Sequence, residues 1–317
     1  MNTIDFFSGC GGLSLGFEKA GYNILAAFDF WDSAIKCYTE NFSHPIFKRD
    51  LTNHHELTSE LPQLVDINSI DVIMGGPPCQ DFSQAGQRQE GTRANLTAEF
   101  AHTIKKIKPR YFVMENVDRA LKSNAYKEAR DIFKSAGYGL TEIILDSSKC
   151  SVPQKRKRLF VIGSLYDDDN FLHDSLISNL AEKSMTVRDY LGTSLNLEYY
   201  YRHPRNYNRR GIFSIDEPAP TVRGVNRPVP KGYPGHPGDP APITDSLRPL
   251  TTKERSLLQT FPSDFILLGT KTDQEQMVGN AVPVNMAKYV ASILLEHDSK
   301  MKENCLSNQG YKEERYG

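Results

Sequence analysis

A short apolar run ending in two glycines, two prolines and a cysteine constrains this chain more than any other stretch. Asp71 to Ser83 reads D-V-I-M-G-G-P-P-C-Q-D-F-S. Val72-Ile73-Met74 has the length of a buried strand, and Gly75-Gly76-Pro77-Pro78 stops it abruptly. Pro78 lacks an amide hydrogen and has a fixed φ, so it holds Cys79 rigidly at the strand's carboxyl end. In open α/β sheets that edge is where ligands bind. Cys79 is either a placed nucleophile or a buried structural thiol in a turn, and this stretch alone leaves both readings open.

Other strand ends carry polar groups in the same way. Thr3 to Phe7 reads as a strand running into Ser8-Gly9-Cys10-Gly11-Gly12-Leu13, and a helical pattern then stops at Gly21. Strand, glycine turn and helix form half of a nucleotide-type crossover unit. Asn23 to Phe28 is a second strand, and Asp29 at its end is placed either for ribose hydroxyls or as a helix cap. Phe30 is a purine platform or a core ring, and Asp50, after Ile46-Phe47, is a third strand-end acid that could reach an adenine amino group. A helix is expected over Leu96 to Ile107, then a buried strand Tyr111 to Met114 with Glu115-Asn116-Val117 at its end. A carboxylate there is costly unless it is hydrogen-bonded or used, and helix capping is the plainer of its two readings. Parallel neighbouring strands would bring Glu115 and Cys79 to one edge. A helix over 127–137 and a strand over 141–145 precede Gln154-Lys155-Arg156-Lys157-Arg158, which enters the strand 159–163. If that segment is extended, Gln154, Arg156 and Arg158 share one face, as a basic comb for phosphate or a carbonyl or as an ordinary charged edge.

Regular periodicity fades from about Tyr166 to Leu247, where aromatic and basic residues interleave: Tyr199, Tyr200, Tyr201, Arg202, Arg205, Tyr207, Arg209 and Arg210, then Arg223, Asn226, Arg227 and Lys231. Arginine and asparagine read base edges and neutralise phosphates, so the segment suits a nucleic-acid surface on loops, or else a protein-binding insertion. Thr251 or Thr252 would cap a helix running to about Thr260, and Gly279-Asn280-Ala281-Val282-Pro283 opens a final helix to about Glu296. The tail from Ser299 is polar and expected to fray. With a net charge of −1, any basic surface must be local. Five cysteines without a C-x-x-C pair argue against a disulfide framework and against a zinc site, so no metal is expected. The start at I-D-F-F is not a signal sequence, and no apolar run approaches the roughly 20 residues that span a bilayer. A cytoplasmic protein with no membrane partner is expected.

With these residues in view, the chain resembles the DNA (cytosine-5) methyltransferases of the small single-chain bacterial modification type. F-S-G-C-G-G-L, Asp29, G-G-P-P-C-Q-D-F-S, E-N-V, Q-K-R-K-R, R-P-L-T-T-K-E-R with Q-T-F-P, and G-N-A-V-P occur in the family's order from Thr3 to about His297. The resemblance implies a doubly wound, mostly parallel α/β sheet (Rossmann-like, as in S-adenosylmethionine-dependent methyltransferases). It implies a catalytic domain over 1–165 rejoined by 248–317, with a smaller irregular target-recognition domain over 166–247. It implies Cys79 as nucleophile, with Glu115, Arg156 and Arg158 gripping the target base. Phe7, Ser8, Gly9, Gly11, Gly12, Leu13, Asp29, Phe30, Asp50, Leu51, Pro78, Asn280 and Val282 would hold S-adenosylmethionine. Gln80, Ser83, Arg93, Arg202, Arg205, Arg209, Arg210, Thr221, Arg223, Asn226 and Arg227 would face double-stranded DNA, on a monomer paired with a cognate restriction endonuclease.

Two departures stand out: Asp29 occupies a position where glutamate is usual, and Arg93-Ala94-Asn95-Leu96 replaces the usual R-G-x-L. Two rivals use the same residues. A transfer-RNA methyltransferase on this scaffold typically carries C-F-T, which does not occur here. A nicotinamide-dependent oxidoreductase would account for the glycine turn and Asp29 but leaves P-P-C-Q and E-N-V unexplained.

Overall fold

The computed structural model describes residues 1–78 and 95–313, with side chains as far as 304. In chain order its strands and helices are β1 (Asn2–Phe6), α1 (Gly12–Lys19), β2 (Asn23–Asp29), α2 (Asp32–Asn41), β3 (Ile46–Lys48), α3 (His54–Leu64), β4 (Val72–Gly75), α4 (Leu96–Ile107), β5 (Tyr111–Val117), α5 (Asn124–Ser135), β6 (Gly139–Asp146), β7 (Gln154–Lys155) and β8 (Lys157–Ser164). Then follow α6 (His173–Ser178), α7 (Val187–Leu191), β9 (Tyr199–Tyr201), β10 (Ile212–Ser214), β11 (Ala219–Pro220), α8 (Thr252–Leu258), α9 (Lys271–Asn280) and α10 (Val284–Glu313).

Side chains alternate across a strand, and that alternation builds two cores. Ile73, Phe112, Met114, Leu159 and Val161 pack on one face beneath α3, α4 and α5. Their neighbours Val72, Met74, Tyr111, Val113, Phe160 and Ile162 pack on the other beneath α1, α6 and α10. Strands buried on both faces read as continuous apolar runs, which is why β4, β5 and β8 are legible by composition alone. The seven-stranded sheet has the order β3-β2-β1-β4-β5-β8-β6, and its first five strands are parallel. The expected doubly wound, mostly parallel sheet is therefore the architecture.

β8 runs antiparallel to both β5 and β6, with Val117 opposite Arg158. An antiparallel neighbour brings its amino end to the carboxyl end of β5, so the basic segment before β8 reaches the edge where Glu115 stands. β4 and β5 are parallel with Gly75 opposite Met114, which puts Pro77 and Pro78 at that edge too.

Three expectations change. The tail does not fray at Ser299, because α10 continues through Glu313. Asp298 is almost fully buried there; its pair with Arg110 at 3.0 Å ties the helix to the sheet beyond the apolar stripe, and Lys302, one turn on in the same helix, meets it at 2.9 Å. The boundary near residue 166 also shifts, since Leu172 and Leu176 pack in the same core as β8 and α10. The irregular unit begins after α6 and shares a small core with the returning chain, where Val187, Tyr200, Phe213 and Val222 pack with Leu250, Leu258 and Val278. Third, Gln154 and Arg156 do not form an outward comb, as described below.

Candidate active site

β1 ends in a turn whose backbone is left-handed at Phe7, Gly9 and Gly11 (φ 59°, 56° and 91°). At Gly11 an added Cβ would sit 2.3 Å from the Phe42 ring, so the turn requires glycine for space as well as for φ. Gly12 starts α1 against the loop after α9, where an added Cβ would lie 2.3 Å from the Val282 carbonyl oxygen. Asp29, at the end of β2, accepts from the Gly9 amide and the Trp31 amide, each at 2.8 Å. The shorter aspartate thus braces the glycine turn and the entry to α2, but it is not that helix's cap, since Trp31 holds the cap position without a side-chain bond. Phe30 is 63% exposed with the Lys48 ammonium 5.7 Å from its ring centroid, so it is no core ring. Asp50 accepts from the Thr52 amide at 3.0 Å.

These strand ends line one cleft of about 720 Å³, within the usual range for small-molecule sites. Phe7, Ser8, Gly9, Gly12, Leu13, Asp29, Phe30, Asp50 and Leu51 form one end, closed by Asn280 and Val282. The other end is formed by Pro78, Glu115, Arg156 and Arg158. Ser8 is buried, and its hydroxyl has no hydrogen-bond partner among the described residues. Cys10, Trp31, Thr52, Asn116 and Met277 also line the cleft without having been singled out. Asn116 was signalled by lying beside Glu115; its amide donates to the Pro77 carbonyl at 3.0 Å and so fixes the proline turn. Cys79 itself, with Gln80, Ser83 and Arg93, lies outside the described residues.

Glu115 is 8% exposed, and Arg158 Nε meets its Oε1 at 2.8 Å. Burial pushes the carboxyl above its ordinary value, while Arg158 and then Arg156 pull it back. A buried acid biased toward its protonated form can donate a hydrogen bond as well as accept one. Its Oε2 would lie 3.2 Å from a Cβ on Gly76, so glycine there keeps the approach to that oxygen open.

Arg156 is 2% exposed, and its Nη1 and Nη2 donate to the carbonyls of Val222 (3.0 Å) and Gly279 (3.1 Å). Only its Nε lacks a partner among the described residues. Burial holds the guanidinium below its ordinary pKa. Gln154, fully buried, bonds to Gln259 and to the Val222 amide instead of facing a ligand. The comb is corrected because its three side chains go separate ways: Arg158 to Glu115, Arg156 to two backbone carbonyls, Gln154 to the interior.

The basic interleaved segment divides similarly. Arg205, Arg209, Arg227 and Lys231 are exposed. Arg202 donates to the Thr221 carbonyl at 2.8 Å, and Arg223 to the His203 carbonyl. Arg210 pairs with Glu217 and stands 4.3 Å from the Phe213 ring centroid. Asn226 donates to the Leu250 carbonyl (2.8 Å) and to Glu275 (3.2 Å), and the Thr221 hydroxyl to the Lys155 carbonyl (2.9 Å). Asn226 and Thr221 were expected to face DNA through their side chains; here those side chains fasten the loop.

A profile of the C-5 cytosine-specific DNA methylases matches residues 1–296. The chain is 56% identical over 302 residues to the Type II methyltransferase M.HindV of Haemophilus influenzae, covering 95% of this chain and 98% of that one. It is 53% identical over 308 residues to the Type II methyltransferase M.HgiDI of Herpetosiphon aurantiacus, covering 97% and 98%. Among solved structures, the S. pombe Dnmt2 methyltransferase superposes with a TM-score of 0.70 at 19% identity, over 93% of this chain and 98% of that one. At that identity the likeness is one of fold.

Proposed function

The chain belongs to the C-5 cytosine-specific DNA methylase family, and on that footing we propose how its cleft methylates carbon 5 of cytosine in DNA. The observation that carries the reading is a single cleft with the Asp29-braced glycine turn at one end and the Glu115–Arg158 pair at the other. A methyl donor and a base bound at the two ends would meet within it.

S-adenosylmethionine supplies the methyl group when bound. The cleft has room for it, and the glycine-rich end fits it in its strand-end acids and in the buried Ser8 hydroxyl, which has no partner among the described residues. Asp29 and Asp50 would accept from ribose and adenine, Phe30 would present a ring to the purine, and Asn280 and Val282 would close the methionine side. The Cys79 thiolate adds to carbon 6 of the cytosine, raising electron density at carbon 5. Glu115 hydrogen-bonds ring nitrogen 3 and the exocyclic amine, held in place by Arg158, which also offsets charge developing on the base. Arg156, through two carbonyls, sets the wall behind that pair. Once carbon 5 has taken the methyl group, with S-adenosylhomocysteine as the departing thioether, loss of the carbon 5 proton to water would expel the Cys79 thiolate and restore the ring.

Carbon 5 of a stacked base is out of reach, so the cytosine is flipped into the cleft at a cost of a few kcal/mol. The segment 199–231 faces duplex DNA through its exposed Arg205, Arg209, Arg227 and Lys231. The Type II relatives support pairing with a restriction endonuclease that cuts the same short site. Transfer of tritiated methyl groups from S-adenosylmethionine to duplex DNA tests the reading, with bisulfite sequencing to locate the base. Wild type should label DNA and not transfer RNA, and Cys79→Ser should abolish labelling; a Cys79→Ser protein with near wild-type transfer would refute the mechanism.

A further inference from the structure

Two glutamines with no solvent exposure join the segment before the DNA-facing loop to the segment that closes the methyl-donor end of the cleft. Gln154 begins β7, and Gln259 follows the last turn of α8. Gln259 Nε2 donates to the carbonyls of Val278 (2.6 Å) and Ala281 (3.1 Å), and its Oε1 accepts from Gln154 Nε2 at 2.6 Å. Gln154 Oε1 in turn accepts from the Val222 amide at 2.8 Å. A continuous path thus runs from Val222 through two side-chain amides to Ala281, which lies between Asn280 and Val282 on the cleft wall. Arg156 runs beside it, gripping the Val222 and Gly279 carbonyls.

Neither glutamine lines the cleft. Stability alone gives little reason for them, because an apolar pair of matched shape in a core can be neutral or stabilising relative to a buried polar pair. What a satisfied buried network adds is rigidity between the elements it joins. Val222 is followed directly by Arg223, whose own carbonyl is gripped by Arg255, so the register of this segment passes into the loop that carries Arg227.

We propose that Gln154 and Gln259 are positioning residues that couple the two ligand sites. A methyl donor seated against Asn280 and Val282 fixes the Ala281 carbonyl, and through the two amides fixes Thr221-Val222-Arg223 in the register that duplex DNA requires. The coupling is reciprocal, because linkage makes each ligand's effect on the other equal. This rests on the cleft reading above.

The test uses the full chain, S-adenosylhomocysteine as the probe and a duplex carrying the site that bisulfite sequencing identifies. The dissociation constant of the probe is measured by calorimetry with and without the duplex, for wild type, Gln259→Glu, Gln154→Glu and the double variant. Gln259→Glu replaces the donor to Val278 and Ala281 with an acceptor at unchanged size, and Gln154→Glu removes the donor to Gln259. In wild type the duplex should tighten the probe by about 5- to 150-fold. Each single variant should lower that factor to less than a third of the wild-type value, and the double variant should lower it no further, because the path is already cut. An unchanged factor in a folded variant overturns the proposal, even with a lowered melting temperature. So does failure of both single variants to fold, which would assign the glutamines to stability. Wild type that binds both ligands without coupling overturns this proposal alone; wild type that does not bind the probe removes the cleft reading, and the proposal with it.

Discussion

Asp5 offers the most direct test of the electrostatics beneath the glycine turn. It lies on β1, fully buried, and its Oδ2 accepts from the Ser14 hydroxyl at 2.5 Å while its Oδ1 has no partner among the described residues. Burial, opposed mainly by the Ser14 hydrogen bond and reinforced by the nearby Asp29 charge, raises its pKa from 3.8 to about 8. The folded chain therefore keeps a proton that the unfolded chain releases near pH 4. This contribution to stability is present in full below that value and is lost as pH rises toward about 8. The loss proceeds at about 1.4 kcal/mol per pH unit, with a ceiling of about 6 kcal/mol over the whole interval. Asp5→Asn removes the titration. Its amide group would leave a donor or an acceptor unsatisfied at Oδ1, a pH-independent cost of about 1–3 kcal/mol, so the slope carries the test rather than the absolute value. Urea unfolding of both proteins at pH 5, 6, 7 and 8 should show the variant gaining on wild type throughout, by at least about 2 kcal/mol between the extremes. Parallel curves would mean that Asp5 titrates alike in both states, and would refute the claim that the fold holds it protonated.

Replacing Glu115 with Gln should lower kcat by about 10²- to 10⁴-fold in tritium transfer while leaving S-adenosylhomocysteine affinity within about twofold, since the amide can hydrogen-bond ring nitrogen 3 but can neither transfer a proton to it nor keep the charged pair with Arg158; a near wild-type kcat would leave Glu115 a hydrogen-bonding role alone. Gly12→Ala drives a methyl group to 2.3 Å from the Val282 carbonyl. It should cost about 1–3 kcal/mol in urea unfolding and weaken S-adenosylhomocysteine at least about tenfold, because the same contact shapes the cleft; unchanged affinity would contradict that account. Duplex DNA affinity should fall steeply with salt. Substituting the exposed Arg205, Arg209 and Arg227 together by Ala should flatten the log–log slope by up to about 3, whereas Arg202→Ala, which loses a bond to the Thr221 carbonyl, should act on stability instead.

Much of the site could be read from local signals. A strand that stops at glycines or prolines, an acid at or near a strand's end and a capping threonine before α8, which is Thr251, each depend on a few adjacent residues. Helices α2 and α3 escaped such a reading because each presents only two or three buried residues, and α3 carries Pro62 within its span. The helical tail is hidden for a related reason: Asp298 reads as one more polar residue of an exposed end until Arg110, far earlier in the chain and just before β5, is placed against it.

By itself the sequence determined which chemical groups stand at the carboxyl edge, because each follows its own strand directly: Ser8 and Gly9 after β1, Asp29 at the end of β2, Pro78 after β4, Glu115 near the end of β5. Tertiary structure decided how the cations are used. Arg156 finds its partners 66 and 123 residues away, and Gln154 reaches Gln259 across 105. Asn226 reaches Glu275 across 49, while Arg158 reaches Glu115 only because β8 runs antiparallel beside β5. A buried guanidinium or amide must satisfy its donors wherever the fold supplies acceptors, and no local pattern encodes where those acceptors lie.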